Sequence, residues 1–123
     1  LAFAFKPETG GSYRCSPLLS DSLFLVRAPS DDGRSERTVS LREALSDRFA
    51  MPDREDVVRR MVEDSASAEG LTLEVAYEVH SLTAIKQLVS RGMASAILPL
   101  GSVYDDVASG RLTASRIMDA SLQ

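Results

Sequence analysis

Large apolar residues at 71, 73, 75, 77 and 79 alternate with polar or small ones, the period of a half-buried strand. The period then changes: Leu82, Ile85, Leu88 and Val89 recur at helical spacing behind Ser81, a residue suited to capping. Gly92 stands where a left-handed residue closes a helix, and a short apolar run follows over 95–98 before Pro99. Strand, helix and strand at this length form a βαβ unit, so its two strands are expected to run parallel.

The same punctuation extends along the chain. A short apolar strand is predicted at 1–5, then a turn-rich stretch with Pro7 and Gly10-Gly11. Residues 22–28 are nearly continuous in apolar character, as in a strand covered on both faces. A polar loop follows over 29–37. Ser40 and Glu43 have the spacing of a capping box and open a short helix. A strand is predicted at Arg48–Met51, ended by Pro52. Asp53 is expected to cap a longer helix over 53–66, with Glu55 and Asp56 in its first turn and Val57, Val58, Met61, Val62 and Ala66 as its buried stripe. Ser102, with Asp105 three residues on, is expected to cap another helix that stops at Gly110. A last strand is predicted at 112–117. Alternation of strand and helix from 22 onward predicts an α/β domain with a mainly parallel sheet flanked by helices.

Composition narrows the function. With 123 residues the chain can bury one real core. Its net charge of −4, with Lys and Arg dispersed among acidic residues, argues against a nucleic-acid grip by this segment. No apolar run is long enough to span a bilayer. The chain begins at Leu1 inside an apparent strand and is read as a fragment of a longer protein. Its lone Cys15 can form no internal disulfide, which favours a reducing cytoplasm. GxGxxG, Walker, CxxC, HExxH and GxSxG patterns are all missing. One His and one Cys leave no nitrogen-and-sulfur metal cluster, so no catalytic residue, metal or cofactor is expected.

What remains is geometry. If the strands ending at Met51, at Val79 and at Leu98 are parallel, the junctions at Asp53, Ser81 and Ser102 share one sheet edge. There they can line a cleft with helix N–H groups and hydroxyls. Ser81 is the best placed to meet a small anion, whereas Asp53, Glu55 and Asp56 would repel one. Capping alone accounts for each of Ser40, Asp53, Ser81 and Ser102 taken singly, at about 1 kcal/mol each. His80 lies beside the same edge, as a rim residue or as a pH-sensitive contact.

In order and spacing, several segments resemble the effector-binding (substrate-binding-like) domain of LysR-type transcriptional regulators. They are LAFA at 1–4, LSDSLFLV at 19–26, VSLREAL at 39–45, MPDR at 51–54 with VVRRMV at 57–62, EVHSL at 78–82, LVSRGM at 88–93, ILP at 97–99 and GRL at 110–112. The resemblance covers essentially the whole chain. It implies a periplasmic-binding-protein-like (type II) lobe: residues 1–20 as remnant of a first regulatory lobe and crossover, 21–111 as the second lobe, and 112–123 as a return strand and tail. It implies a cytoplasmic, non-enzymatic sensor that binds a small-molecule effector between lobes and passes the change to a DNA-binding domain outside this chain. By resemblance the second lobe's share of that cleft is Met51, Pro52, Asp53, His80, Ser81 and Pro99, with Ser20 and Asp21 at the crossover. The helix at 53–66 and the strand at 71–79 would be its dimer face, in a homo-dimer or tetramer. The competing expectation is a lobe of a periplasmic-type solute-binding protein, which shares this architecture and would carry an export signal. An enzyme on a related two-lobe fold would need a catalytic pair that this sequence does not display.

Overall fold

A computed structural model describes residues 22–29 and 38–118. The expected strand at 1–5, Ser20 and Asp21, Cys15, most of the 29–37 loop and the tail at 119–123 lie outside the described residues.

Six strands and four helices follow in the order β1 (Leu23–Arg27), β2 (Thr38–Ser40), α1 (Leu41–Ala44), β3 (Arg48–Met51), α2 (Val57–Ala68), β4 (Glu74–Glu78), α3 (Leu82–Ser90), β5 (Ala96–Pro99), α4 (Tyr104–Ala108) and β6 (Thr113–Met118). A 3₁₀ turn at Leu100–Ser102 joins β5 to α4. Four strands are bonded in the order β2-β6-β1-β5, and β3 pairs with β4. A single parallel bridge, Phe49 to Ser95, joins the two groups. It is held by Ala50 N–H donating to the Ser95 carbonyl and Ser95 N–H donating to the Arg48 carbonyl, both at 2.9 Å. The strands thus make one layer, β4-β3-β5-β1-β6-β2. The βαβ unit of β4, α3 and β5 is parallel as expected, but β3 lies between its two strands.

The sheet is not parallel throughout. β1 runs antiparallel to both β5 and β6, while β2 and β6 are parallel. Apolar continuity in β1 reported burial on two faces, and burial is observed, but it carries no information on strand direction. β6 hydrogen-bonds to both β1 and β2 along 113–118, so this expected return strand is part of the same sheet. β2, three residues long, was not foreseen from the sequence.

Helices cover both faces. Leu23, Leu25, Phe49, Met51, Ile97 and Ile117 pack on one side with α1 and α2, through Leu41, Ala44, Val62 and Ala66. Val26, Ala50 and Ala96 pack on the other with α3 and α4, through Ile85 and Val89, through Val103 just before α4, and through Val107. Alternate residues of one strand serve opposite cores, as pleat geometry requires.

Local signals explain most helix ends. The capping box at α1 is complete: Ser40 Oγ accepts from Glu43 N–H at 3.1 Å, and Glu43 Oε1 accepts from Ser40 N–H at 3.1 Å. Ser81 Oγ accepts from Ala84 N–H at 3.2 Å. After α3, Gly92 takes φ +73°, with Met93 N–H donating to the Leu88 carbonyl and Gly92 N–H to that of Val89. That pair of bonds is a Schellman closure. Two expected caps fail. Asp56, not Asp53, caps α2, its carboxylate accepting from Arg59 N–H at 3.1 Å. Asp53 instead accepts from Glu55 N–H at 3.0 Å, forming a turn that holds the chain non-helical for three more residues. Val57 consequently becomes the first helical residue and is half exposed, not part of the buried stripe. Ser102 caps nothing: the 3₁₀ turn consumes it, and α4 starts after Val103 without a side-chain cap.

Candidate functional site

β3, β4 and β5 point their carboxyl ends the same way, so their three exits share one rim. At that rim Val79 N–H donates to the Met51 carbonyl at 2.8 Å, locking the end of β4 to the end of β3. Beyond the lock lies a cleft of about 280 Å³. Met51, Pro52, His80 and Pro99 line it, four of the positions anticipated from the sequence. Asp53 lies at its edge, with Oδ2 3.6 Å from His80 Nδ1, a contact that becomes an ion pair when the imidazole is protonated. Ser81 serves as the cap of α3 and is not among the lining residues. Ser20 and Asp21 precede the described residues. Ser22, which follows them, lines a separate polar hollow of about 340 Å³ with Phe24, Leu100, Gly101 and Arg116, where β1 enters the sheet opposite Pro99.

Most of the cleft wall is apolar and was not anticipated as such. Val58 from α2, Leu82 and Ile85 from α3, and Ile97 and Leu98 from β5 face it. Leu82 is 41% exposed, an unusual state for a residue on the apolar stripe of a helix, and it opens onto this cleft. Ser102 adds a hydroxyl, and Asp56 a carboxylate already committed to its cap.

Arg59 is the feature that sequence reasoning missed. It is only 5% exposed. Nη1 donates to the Pro52 carbonyl at 2.8 Å and to Glu78 Oε2 at 3.0 Å, and Nε donates to Glu63 Oε2 at 3.3 Å. A buried guanidinium requires such partners. By meeting them it ties the 51–53 turn to the end of β4, the two corners that carry the anticipated rim residues. A signal was available: Arg59 stands three and seven residues before the buried Val62 and Ala66, on their face of α2, with Glu63 four residues on.

Behind the cleft, Asp106 of α4 accepts from Lys86 of α3 at 2.9 Å and contacts Arg111 at 3.3 Å. The Lys86 hydrogen bond, aided by Arg111, holds the Asp106 carboxyl below its ordinary range. This triad fixes α4 against α3. Among the described residues no three His, Cys, Asp or Glu side chains are grouped to hold a metal ion, and no helix is long and apolar enough to cross a membrane.

Comparison with known proteins agrees with this geometry. The family model described as LysR substrate binding domain matches residues 1–122. The HTH-type transcriptional regulator BbuR of Bordetella bronchiseptica is 28% identical over 122 residues, 99% of this chain and 38% of its own length. The effector-binding domain of QuiR in complex with shikimate superposes with a TM-score of 0.67 at 15% identity, over 94% of this chain and 54% of that one. The regulatory domain of CcmR from Synechocystis PCC6803 in complex with 2-PG gives 0.63 at 23% identity, over 79% of this chain and 47% of that one. The chain therefore spans about half or less of the length of these relatives.

Proposed function

Because the chain belongs to the LysR substrate-binding domain family, we propose that it forms the second lobe of a regulator's ligand sensor, with the rim cleft as this lobe's share of the effector site. The observation that carries the reading is the convergence of three parallel strand ends on one cleft. Such edges are where open α/β sheets hold ligands. Met51, Pro52, His80 and Pro99 are its contacting residues, and Asp53 and Ser81 shape its corners. The opposite wall of the cleft belongs to a first lobe outside the described residues, while β6 stays within the sheet of this lobe.

The mechanism is population shift. A small molecule that fits one lobe arrangement better than another stabilises that arrangement, and the difference in binding energy sets how far the equilibrium moves. DNA contact belongs to a separate amino-terminal domain of the whole protein, in keeping with this segment's net charge of −4. The work is done in the cytoplasm and without catalysis. α2 and β4 form the dimer face: among the described residues β4 is bonded on one side only, to β3, and its other edge is the one offered to a partner.

A metabolite screen by thermal shift on the native protein tests this reading. A ligand that binds the folded state raises the melting temperature, by an amount worth about 2.7 kcal/mol at a hundredfold excess over Kd. His80→Ala is expected to reduce that shift while leaving the ligand-free melting temperature within about 1 °C, since an exposed side chain contributes little stability. An unchanged ligand response in His80→Ala and in Leu82→Ser together would remove the cleft from the effector site.

A further inference from the structure

The cleft wall selects on polarity. Resting on the reading of this cleft as an effector site, we infer that the part of the effector seated against this lobe is an uncharged hydrocarbon surface, an aromatic ring or a compact branched group, and that any anionic group of the same molecule points away from this wall. Val58, Leu82, Ile85, Ile97 and Leu98 supply the surface. The guanidinium in the wall already has its charge paired: Nε donates to Glu63, and Nη1 donates to Glu78 and to the Pro52 carbonyl. Glu63 and Glu78, which pair with it, outnumber its single charge, and the Asp56 carboxylate also lines the cleft. The amino end of α3 would favour an anion by its dipole, but Asp53 stands at that same corner, 3.6 Å from His80. The hydrogen-bonding groups left facing the cleft, the Ser102 hydroxyl and the His80 ring, suit a neutral hydroxyl or carbonyl. Size agrees. A dry apolar cavity of about 150 Å³ accepts benzene, and this cleft is about 280 Å³, room for one ring with a substituent.

The test titrates the native protein with benzyl alcohol, with acetate and with inorganic phosphate, following the backbone amide resonances of His80, Leu82 and Ser102. Benzyl alcohol is expected to shift all three saturably, and the two hydrophilic anions to leave them in place. Leu82→Ser, at a position 41% exposed, is expected to weaken benzyl alcohol about tenfold, the loss that follows from removing part of an apolar contact. Should that variant misfold, Val58→Thr, of nearly equal volume, gives the same direction. Acetate or phosphate moving these amides while benzyl alcohol does not would overturn the inference and leave the cleft as effector site. Silence of the three amides toward every probe overturns it as well. The cleft reading fails separately, if a metabolite found by thermal shift perturbs residues elsewhere.

Discussion

Arg59 shows how a single buried side chain can organise a rim. Its guanidinium collects a carbonyl from the 51–53 turn, a carboxylate from β4 and another from its own helix. Arg59→Met keeps much of the stem's packing but loses these charge-assisted bonds and leaves the Pro52 carbonyl without its donor. A loss of about 2 kcal/mol is expected, read as a lower urea midpoint with unchanged slope. Asp106 sets a pH dependence. Its carboxyl is held low in the folded state by Lys86 and Arg111, so its stabilising contribution is complete above the ordinary carboxylate pKa of about 4 and is lost as pH falls through the lowered value. Melting curves of the wild type and Lys86→Met are therefore expected to differ at pH 6 and to converge as the solution is acidified toward pH 3.

At the scale of elements, the contrast between Asp53 and Asp56 is the sharpest. Both precede the apolar stripe of α2, and Asp53 follows Pro52 directly, so spacing favoured it as the cap. It loses because its carboxylate closes a turn onto Glu55 N–H, and the next acidic residue takes the helix end. Asp56→Ala is expected to cost about 1 kcal/mol by chemical denaturation, and Asp53→Ala clearly less, since the latter removes no cap. Gly92→Ala is expected to cost about 1 kcal/mol for a different reason: φ is +73°, a left-handed value that a Cβ disfavours, although nothing lies within 4 Å of that position. Ser40, Ser81 and Gly92 were legible because their partners sit within five residues along the chain. The fate of Ser102 was not: the 3₁₀ turn that absorbs it sits between β5 and the buried Val103, and both positions are set by packing.

For the whole molecule, the sheet is continuous only because Phe49 and Ser95 bridge its two groups. Phe49 is fully buried at that bridge, and the Ser95 hydroxyl donates to Asp47 at 2.7 Å just beside it. Phe49→Ala is expected to cost roughly 3–5 kcal/mol. That is a large share of the roughly 5–15 kcal/mol typical of a domain, so the variant is expected to melt well below the wild type by circular dichroism. The same bridge holds β5 beside β3, and so keeps Pro99 on the rim shared by Met51 and His80. Stability and the candidate site thus depend on one inter-strand seam.

Apart from the three-residue β2, the chain's own pattern determined the kinds of element, their sequence and the two-faced burial of the sheet, because period and capping are local properties carried by neighbouring residues. It also placed Met51, Pro52, His80 and Pro99 at strand exits, which a parallel arrangement brings to one edge. Only the tertiary structure decided the reversed direction of β1, the insertion of β3 between β4 and β5, and the capture of Arg59 by a carboxylate nineteen residues away. Strand direction, strand order and the pairing of a buried charge each depend on contacts between distant segments, and apolar periodicity is the same whichever of those contacts forms.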